Sequence, residues 1–231
     1  MRILTWNIYR GTINNYTINN LPASQPVQRM QIIMDIAIQN NVDVVVLQEL
    51  PNDGGHFYAP QGWGIQTIAE HASMQYACSS FNTLYAILWN TATTTTTNVQ
   101  GTIQRFNQQS FFLPTGCEMR APVYLDLTCN GTAYRVFNWH NETGAWADTG
   151  VQILSQQAFG ANTVIGGDFN RNYTVVNTYF NNTWTDIVGV NGAINGVDHI
   201  LSNVANCNPV MGGLLDFTSD ANHWPVAADI L

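Results

Sequence analysis

Lysine is absent from this 231-residue chain, and charged residues of every kind make up only 10% of it. Seven arginines face fifteen acidic residues, so the formal net charge is −8. Non-specific affinity for nucleic acid comes largely from Lys and Arg side chains on phosphates. The composition therefore disfavours a surface that holds polyanions by itself, although a bound cation and a few arginines can make a local field positive.

Long apolar runs are also missing, because no stretch approaches the roughly 18 consecutive apolar residues that a membrane-spanning helix needs. We therefore expect no membrane span. The apolar share of 45% is enough for a substantial core, and the length fits one domain, which we expect to cover residues 1–231. No signal peptide is visible, since Met1 leads directly into the strand-like RILTWN. We expect a secreted protein whose export signal has been removed, although a cytosolic protein would begin in the same way.

Cysteine is scarce, with four residues, and in a chain rich in Asn, Thr and Gln this number suits two disulfides of an exported protein. The alternative is buried free thiols. A strand over 119–128 would separate Cys117 from Cys129 by about 30 Å, too far for a disulfide. A hairpin turn at Asn130-Gly131 and the direction of the next strands predict the pairs Cys129–Cys207 and Cys78–Cys117.

Hydrophobic periodicity predicts an α/β fold. Apolar residues at 30, 33, 34 and 37 have helical spacing and predict a helix over 26–39, between the strands LTWN and VDVVVLQE. A second helix is predicted over 148–159, with Asp148 as its N-cap. Further strands are predicted over 84–90, 98–106, 119–128 and 133–139. The order indicates one α/β domain, in which two mixed β-sheets pack face to face with helices outside.

Polar residues stand at the ends of the predicted strands. LTWN at 4–7, VVVLQE at 44–49, VFNWH at 136–140 and VIGGDFN at 164–170 end in polar residues, whereas GVDHIL at 196–201 and NHWPVAADI at 222–230 begin with them. Strands that run in both directions can bring such ends to one rim. Carboxylates, amides and histidines at one rim indicate a metal-assisted hydrolytic site, with the candidates Asn7, Glu49, His140, Asp168, Asn170, Asp198 and His223.

The candidates have distinct expected roles. An acid that ends a buried strand is costly unless it is paired or binds a metal, so Glu49 is a candidate Mg²⁺ ligand. The glycines of GGDFN predict a tight turn that presents Asp168 and Asn170. Asp198 is a natural carboxylate partner for a basic His223. His199 is expected to point away from Asp198, because neighbouring residues in a strand face opposite sides.

The motifs TWN, LQE, NWH, GGDFN, VDHIL and SDANHWPV, in this order, resemble those of the endonuclease/exonuclease/phosphatase superfamily. GDFNR and MRAPV are most similar to the catalytic subunit of cytolethal distending toxins and to pancreatic-type deoxyribonuclease. The resemblance implies a four-layered α/β sandwich. It also implies metal-assisted hydrolysis of phosphodiester or phosphomonoester bonds.

The resemblance assigns roles residue by residue. Glu49, assisted by Asn7, would hold Mg²⁺, with Mn²⁺ or Ca²⁺ as alternatives. His223, oriented by Asp198, would be the general base. His140 would stabilise the transition-state charge or protonate the leaving oxygen. Asp168 and Asn170 would position water, phosphate or metal. Arg120 would bind a phosphate oxygen, and Arg10 and Arg171 are weaker candidates for the same role.

The chain departs from the superfamily pattern in two places. The usual Ser-Asp-His is replaced by Ser219-Asp220-Ala221-Asn222-His223, so either Asp220 or Asn222 takes the position of the acid. The segment 75–90, in which deoxyribonuclease-like members carry an acidic partner for the histidine of NWH, offers His140 none.

The leading interpretation is a secreted, monomeric, Mg²⁺-dependent endonuclease whose substrate is DNA. A toxin-type chain would also have delivery subunits as partners. The alternative on the same scaffold is a phosphatase or phosphodiesterase acting on phosphoinositides or sphingomyelin. An interpretation from another class is a catalytically silent domain that binds a partner protein.

Overall fold

The computed structural model of the chain describes residues 1–7, 16–18, 21–23, 35–49, 74–79, 85–97, 103–113, 115–180, 183–188, 196–210, 217–218 and 225–231. The strands are β1 Arg2–Asn7, β2 Tyr16–Ile18, β3 Leu21–Ala23, β4 Val44–Gln48, β5 Met74–Ser79, β6 Tyr85–Asn90, β7 Thr94–Thr96, β8 Gln104–Arg105, β9 Val123–Cys129, β10 Thr132–His140, β11 Thr163–Asp168, β12 Thr185–Val188, β13 Asp198–Ser202, β14 Cys207–Pro209, β15 Phe217–Thr218 and β16 Val226–Ile230. Helix α1 is described over 35–39, α2 is Ala147–Ser155 and α3 is Tyr173–Phe180. Short 3-10 turns cover Gln108–Ser110 and Gly144–Trp146.

Two mixed β-sheets dominate the described part of the chain, as the sequence predicts. The first sheet has the strand order β14-β16-β1-β4-β6-β5, and the second has the order β12-β13-β11-β10-β9-β7, with β8 also paired to β9. One parallel pair lies in each sheet, β1 with β4 and β10 with β11. A small third sheet, β15-β2-β3, was not predicted.

The main core lies between the two large sheets. Ile3, Val44, Val46 and Ile87 of the first sheet share one buried cluster with residues of the second sheet, among them Leu125, Val136, Val164 and Ile200. A second cluster covers the other face of the second sheet. It consists of Phe137, Trp139, Ile165 and Leu201 packed against Val151 and Leu154 of α2 and Val176 and Phe180 of α3.

The parallel pairs bring the candidate residues to one rim. In the first sheet Asn7 is paired with Gln48, so Asn7 and Glu49 stand at the same strand ends. In the second sheet His140 is paired with Asp168, and the antiparallel neighbour places Asp198 opposite Asp168. The prediction of a shared rim is confirmed for these residues.

Several element predictions are confirmed with shifted bounds. The hairpin turn is present, with Asn130 and Gly131 at φ 48° and 82°, as a tight turn between right-twisted strands requires. Helix α2 begins at Ala147 after the cap residue Trp146, so Asp148 lies in the first turn and the predicted N-cap is wrong. The predicted helix over 26–39 is described only over 35–39.

The disulfide prediction is wrong. Cys117, Cys129 and Cys207 are free thiols, exposed, buried and half-buried respectively. Cys129 ends β9 in the second sheet, whereas Cys207 pairs with Ile230 in the first sheet. Burial raises the pKa of both Cys129 and Cys207. The side chain of Cys78 lies outside the described residues, but its proposed partner Cys117 is free.

The glycines of GGDFN act differently from the prediction. Both lie inside β11 rather than in a turn. A Cβ on Gly167 would lie 1.9 Å from the Trp139 carbonyl oxygen, and one on Gly166 would lie 3.2 Å from Thr5 Cβ. Gly167 must be glycine because the Trp139 backbone approaches closely, and Gly166 packs tightly against Thr5. A sequence does not distinguish such close approach from freedom to turn. No helix in the described segments is long and apolar enough to cross a membrane.

Candidate active site

Two carboxylates converge where the ends of the two large sheets meet. The Asn7 amide donates to Asp168 Oδ2 at 2.9 Å and to Glu49 Oε1 at 3.3 Å. His140 Nε2 lies 3.5 Å from each of the same two oxygens. Asn7, His140 and Asp168 are buried, whereas 17% of the Glu49 side chain is exposed. The four residues form one cluster, hereafter the carboxylate cluster, which reaches solvent at Glu49.

The backbone of Glu49 is left-handed, with φ 53°. This conformation is uncommon for a residue other than Gly, Asn or Asp, and residues in sparsely populated regions cost roughly 1–3 kcal/mol. Glu49 is the first residue after β4, and its carboxylate reaches both Asn7 and His140. The strained backbone conformation therefore falls on a residue whose carboxylate belongs to the cluster.

The loop after β11 is organised by hydrogen bonds around Asp168 and Asn170. Asp168 Oδ1 accepts from the Asn170 backbone N–H at 2.8 Å, which makes an Asx turn, and Asn170 adopts φ 50°. The Asn170 amide donates to the Asn141 carbonyl at 3.0 Å, and the Asn141 N–H donates to the Asp168 carbonyl at 2.8 Å. The predicted pair Asp168 and Asn170 is thus presented side by side at the rim.

Arg120 lies at the same rim, three residues before β9 rather than at the predicted opening of a strand. Its Nη1 donates to the Asn141 carbonyl at 3.2 Å, and its backbone N–H donates to Glu142 Oε1 at 2.9 Å. Its Nε is 3.8 Å from the same Glu142 oxygen. Arg120 and Asn170 therefore share one backbone carbonyl, which places a guanidinium beside the Asp168 loop.

Arg171 faces helix α2. Its Nε binds Asp148, its Nη1 donates to the Asn170 carbonyl at 2.9 Å, and its Nη2 donates to the Gly144 carbonyl at 2.5 Å. These bonds tie the loop after β11 to the loop after β10. A role of Arg171 in phosphate binding stays a prediction.

Asp198 and His199 occupy opposite faces of the first residues of β13. Asp198 is buried and stands opposite Asp168 in the sheet. His199 is fully buried on the other side, with Nδ1 2.9 Å from Asp186 Oδ1 and Nε2 2.7 Å from the Arg171 carbonyl. The predicted divergence of these two side chains is confirmed.

Four candidates lie outside the described residues: Arg10, Asp220, Asn222 and His223. The choice between Asp220 and Asn222 and the pairing of His223 with Asp198 therefore stay predictions. For His140, the acids that the structure brings close are Glu49 and Asp168, neither of which lies in the segment 75–90.

The family model of the endonuclease/exonuclease/phosphatase family matches residues 4–220, nearly the whole chain. The chain belongs to the endonuclease/exonuclease/phosphatase family. Members of this family are hydrolases of phosphoester bonds and generally use divalent metal ions. A search of curated proteins finds no match.

Solved structures of family members share the fold. The catalytic domain of human Nocturnin with bound sulfate superposes with a TM-score of 0.64 at 14% identity, covering 99% of this chain and 92% of that one. A humanized D. rerio TDP2 gives a TM-score of 0.62 at 17% identity, covering 99% and 97%. A mannosyl-6-phosphatase from Bacteroides thetaiotaomicron gives 0.61 at 14% identity, covering 100% and 99%. These identities support the likeness of fold alone.

The carboxylate cluster contains the oxygen ligands that a hard divalent cation prefers. Within the residues that the structure describes, no group of three His, Cys, Asp or Glu side chains makes a ready metal cage. Mg²⁺ does not require one, because it is commonly held by one or two carboxylates and keeps several waters. Glu49 and Asp168 both approach Asn7 Nδ2 within 3.3 Å, so their charges lie close together and favour a cation between them. The residues present therefore fit such an ion.

Three contributors were not identified from the sequence. The backbone carbonyl of Asn141 is the one that Arg120 and Asn170 share. The side-chain amide of Asn141 donates to the carbonyls of Ala147 and Phe169, each at 2.8 Å. Gln48 and Asn138 lie behind the carboxylate cluster. Each of these three residues lies one or two positions from a residue that the motifs identified. The only signal that the sequence offered for them was an amide side chain at or near a predicted strand end.

Proposed function

We propose that the chain is a divalent-metal-dependent phosphodiesterase whose substrate is DNA. The observation that carries the proposal is the convergence of Glu49 and Asp168 on Asn7 and His140 within 3.5 Å. A bound Mg²⁺ would neutralise charge on the phosphate and supply an acidified water. Glu49 and Asp168 would hold it, with Asn7 keeping the two carboxylates at a fixed separation.

The chain's own residues would perform the remaining steps. His140 Nε2 faces the two carboxylates, and a ring N–H at this position can donate to the leaving oxygen or stabilise the developing charge. The Arg120 guanidinium and the Asn170 amide both donate to the Asn141 carbonyl, next to His140. They can bind non-bridging phosphate oxygens. His223, oriented by Asp198, is proposed as the base that activates water.

A second candidate is the hydrolysis of a small phosphoester, such as a phosphoinositide or sphingomyelin headgroup. The observation that favours it is the state of the two arginines at the rim. Arg120 is paired with Glu142, and Arg171 is paired with Asp148. Such paired cations offer little positive charge to a long polyanion, whereas a single phosphate needs few contacts.

Plasmid nicking in the presence of Mg²⁺ tests the proposal. We expect nicking that EDTA abolishes and that Glu49→Gln lowers by at least about a hundredfold, since loss of a metal ligand removes the activated water. Glu118→Gln is the matched control, because Glu118 is a partly exposed acid that pairs with Arg105. Intact plasmid together with Mg²⁺-dependent release of phosphate from phosphoinositides, or cleavage of sphingomyelin, would decide for the second candidate.

A further inference from the structure

A layer of buried polar side chains lies directly behind the carboxylate cluster and joins the two large sheets. Thr5, Gln48 and Asn138 are all fully buried. Gln48 Nε2 donates to Asn138 Oδ1 at 2.8 Å and lies 3.2 Å from Thr5 Oγ1. Thr5 and Gln48 belong to the first sheet, and Asn138 belongs to the second. Hydrogen bonds therefore cross the space that the apolar core otherwise fills.

Asn138 also binds the backbone of the first sheet. Its Nδ2 donates to the carbonyls of Leu47 at 2.8 Å and of Ala86 at 3.0 Å. Leu47 and Ala86 form the last pair of the β4–β6 ladder. One side chain of the second sheet thus holds two strands of the first at the point where their ladder ends, one residue before Gln48 and two before Glu49.

The orientation of both amides is fixed by this arrangement. Because Asn138 Nδ2 donates to two carbonyls, Asn138 Oδ1 must face Gln48. A reversed Gln48 amide would place its oxygen against Asn138 Oδ1, so Gln48 Nε2 must be the donor. Gln48 Oε1 is left buried without a hydrogen-bond partner in the part of the chain that the structure describes. A buried unsatisfied acceptor is destabilising, and an apolar residue of similar shape would avoid this cost.

The spacing of the layer matches that of the site. Residues two apart in a strand face the same side. The layer and the carboxylate cluster are related in this way on two strands, through the pairs Thr5 and Asn7, and Asn138 and His140; on a third strand Gly166 lies two residues before Asp168. Gly166 provides the space for Thr5, since a Cβ there would lie 3.3 Å from Thr5 Oγ1.

We propose that Gln48 and Asn138 are positioning residues for the reaction. Their amide bridge sets the separation of the two sheets at the rim and holds the backbone that leads into the left-handed Glu49. It thereby keeps Glu49 of the first sheet in register with His140 and Asp168 of the second. This inference rests on the proposed function, because it concerns the same site.

The test combines two variants with a control. Gln48→Met removes the bridge and keeps the length of the side chain, and Asn138→Ala removes the bridge and the grip on Leu47 and Ala86. Thr94→Val is the control, since Thr94 is a buried polar residue at the opposite end of the second sheet. For each protein we would measure the Mg²⁺ concentration at the midpoint of the melting-temperature increase, and kcat and KM on bis(p-nitrophenyl) phosphate.

Removal of residues that orient metal ligands typically costs roughly 10–100-fold in metal affinity or activity. We expect both site variants to raise the Mg²⁺ midpoint and lower kcat in that range, with KM nearly unchanged, and the control to leave all three near wild type. Folded Gln48→Met with a wild-type midpoint and kcat would overturn the inference, even if Asn138→Ala fails to fold. A wild-type protein that hydrolyses no phosphoester would refute the proposed function instead, and the Mg²⁺ midpoints would still decide the positioning role. A wild-type melting temperature that Mg²⁺ leaves unchanged would overturn both.

Discussion

His199 is the single residue whose ionisation the structure constrains most closely. Both of its ring nitrogens face acceptors, the Asp186 carboxylate and the Arg171 carbonyl. Both nitrogens donate only when the ring is protonated. Burial by itself lowers the pKa of His199, but the Asp186 charge and the two hydrogen bonds outweigh burial and leave the pKa above its usual value. The buried imidazolium connects β13 to β12 and to the loop that carries Asn170.

This pKa shift predicts a pH dependence of stability. A histidine whose pKa is raised on folding stabilises the protein fully below its unfolded pKa of about 6.5, and this stabilisation is lost as the pH rises through the folded pKa. We therefore expect the melting temperature of the wild type to fall from pH 6 toward pH 9. His199→Gln, whose amide can still donate to one acceptor, should have a lower melting temperature at pH 6 and a flatter profile. Parallel profiles for the two proteins would contradict a charged His199.

At the scale of elements, helix α2 packs against the loop after β10, and one glycine allows the close contact. A Cβ on Gly150 would lie 1.9 Å from Asn141 Oδ1. That oxygen cannot easily move, because it accepts from the Glu142 N–H at 2.8 Å and the same amide donates to Ala147 and Phe169.

Gly150→Ala is therefore expected to displace Asn141 and, with it, the carbonyl that Arg120 and Asn170 share. Overpacking of this kind typically costs about 1–3 kcal/mol, and each kcal/mol lowers the melting temperature by about 2–4 °C in a chain of this size. Activity should fall more than stability alone explains. Gly160→Ala is the matched control, because open space surrounds its Cβ position, and it should leave both quantities nearly unchanged. Equal melting curves and rates for the two variants would contradict the role of Gly150.

The sequence predicted the polar residues at the strand ends well, and it predicted poorly the residues that pack around them. Asn7, Glu49, His140 and Asp168 each end an apolar run, and a run of buried strand residues followed by a polar one is a local signal. Gly166, Gly167 and Gly150 depend on which chain segment approaches them, and that is a property of tertiary packing. Cys129 and Cys207 were predicted to pair at one end of the fold. Cys129 lies in the core between the two sheets and Cys207 packs against that core, but both are free thiols.

The amides were missed for a related reason. In the sequence Gln48 and Asn138 look like ordinary strand residues, because an amide in a strand indicates a hydrogen bond only when its partner is known. Their bond crosses from one sheet to the other over ninety positions of sequence, and no periodicity in either strand reports it. The left-handed turn at Glu49 is equally invisible, since nothing in the letters Leu-Gln-Glu indicates a positive φ.

For the whole molecule, the distribution of charge limits how the protein can hold its substrate. Every arginine in the described segments forms an ion pair with a carboxylate: Arg2 with Asp229, Arg105 with Glu118, Arg120 with Glu142, Arg135 with Asp126, and Arg171 with Asp148. The net charge of −8 adds long-range repulsion of polyanions. Of these arginines, Arg120 and Arg171 lie in or beside the loops that form the rim.

Substrate binding should therefore depend only weakly on salt. Each phosphate contact contributes a slope of about −0.9 to the logarithm of affinity against the logarithm of salt concentration. With two arginine contacts, kcat/KM for plasmid nicking should fall by about tenfold between 50 and 200 mM NaCl at fixed Mg²⁺, while hydrolysis of bis(p-nitrophenyl) phosphate, which carries one charge, should change far less. Proteins with six to ten phosphate contacts lose about 10³–10⁵ over the same range. A loss of that size would show that the protein grips DNA along an extended surface, and it would refute the view that a few rim contacts supply the binding. Because the chain has seven arginines and no lysine, such a surface would need nearly all of them, including those now paired, so the measurement separates the two modes of binding clearly.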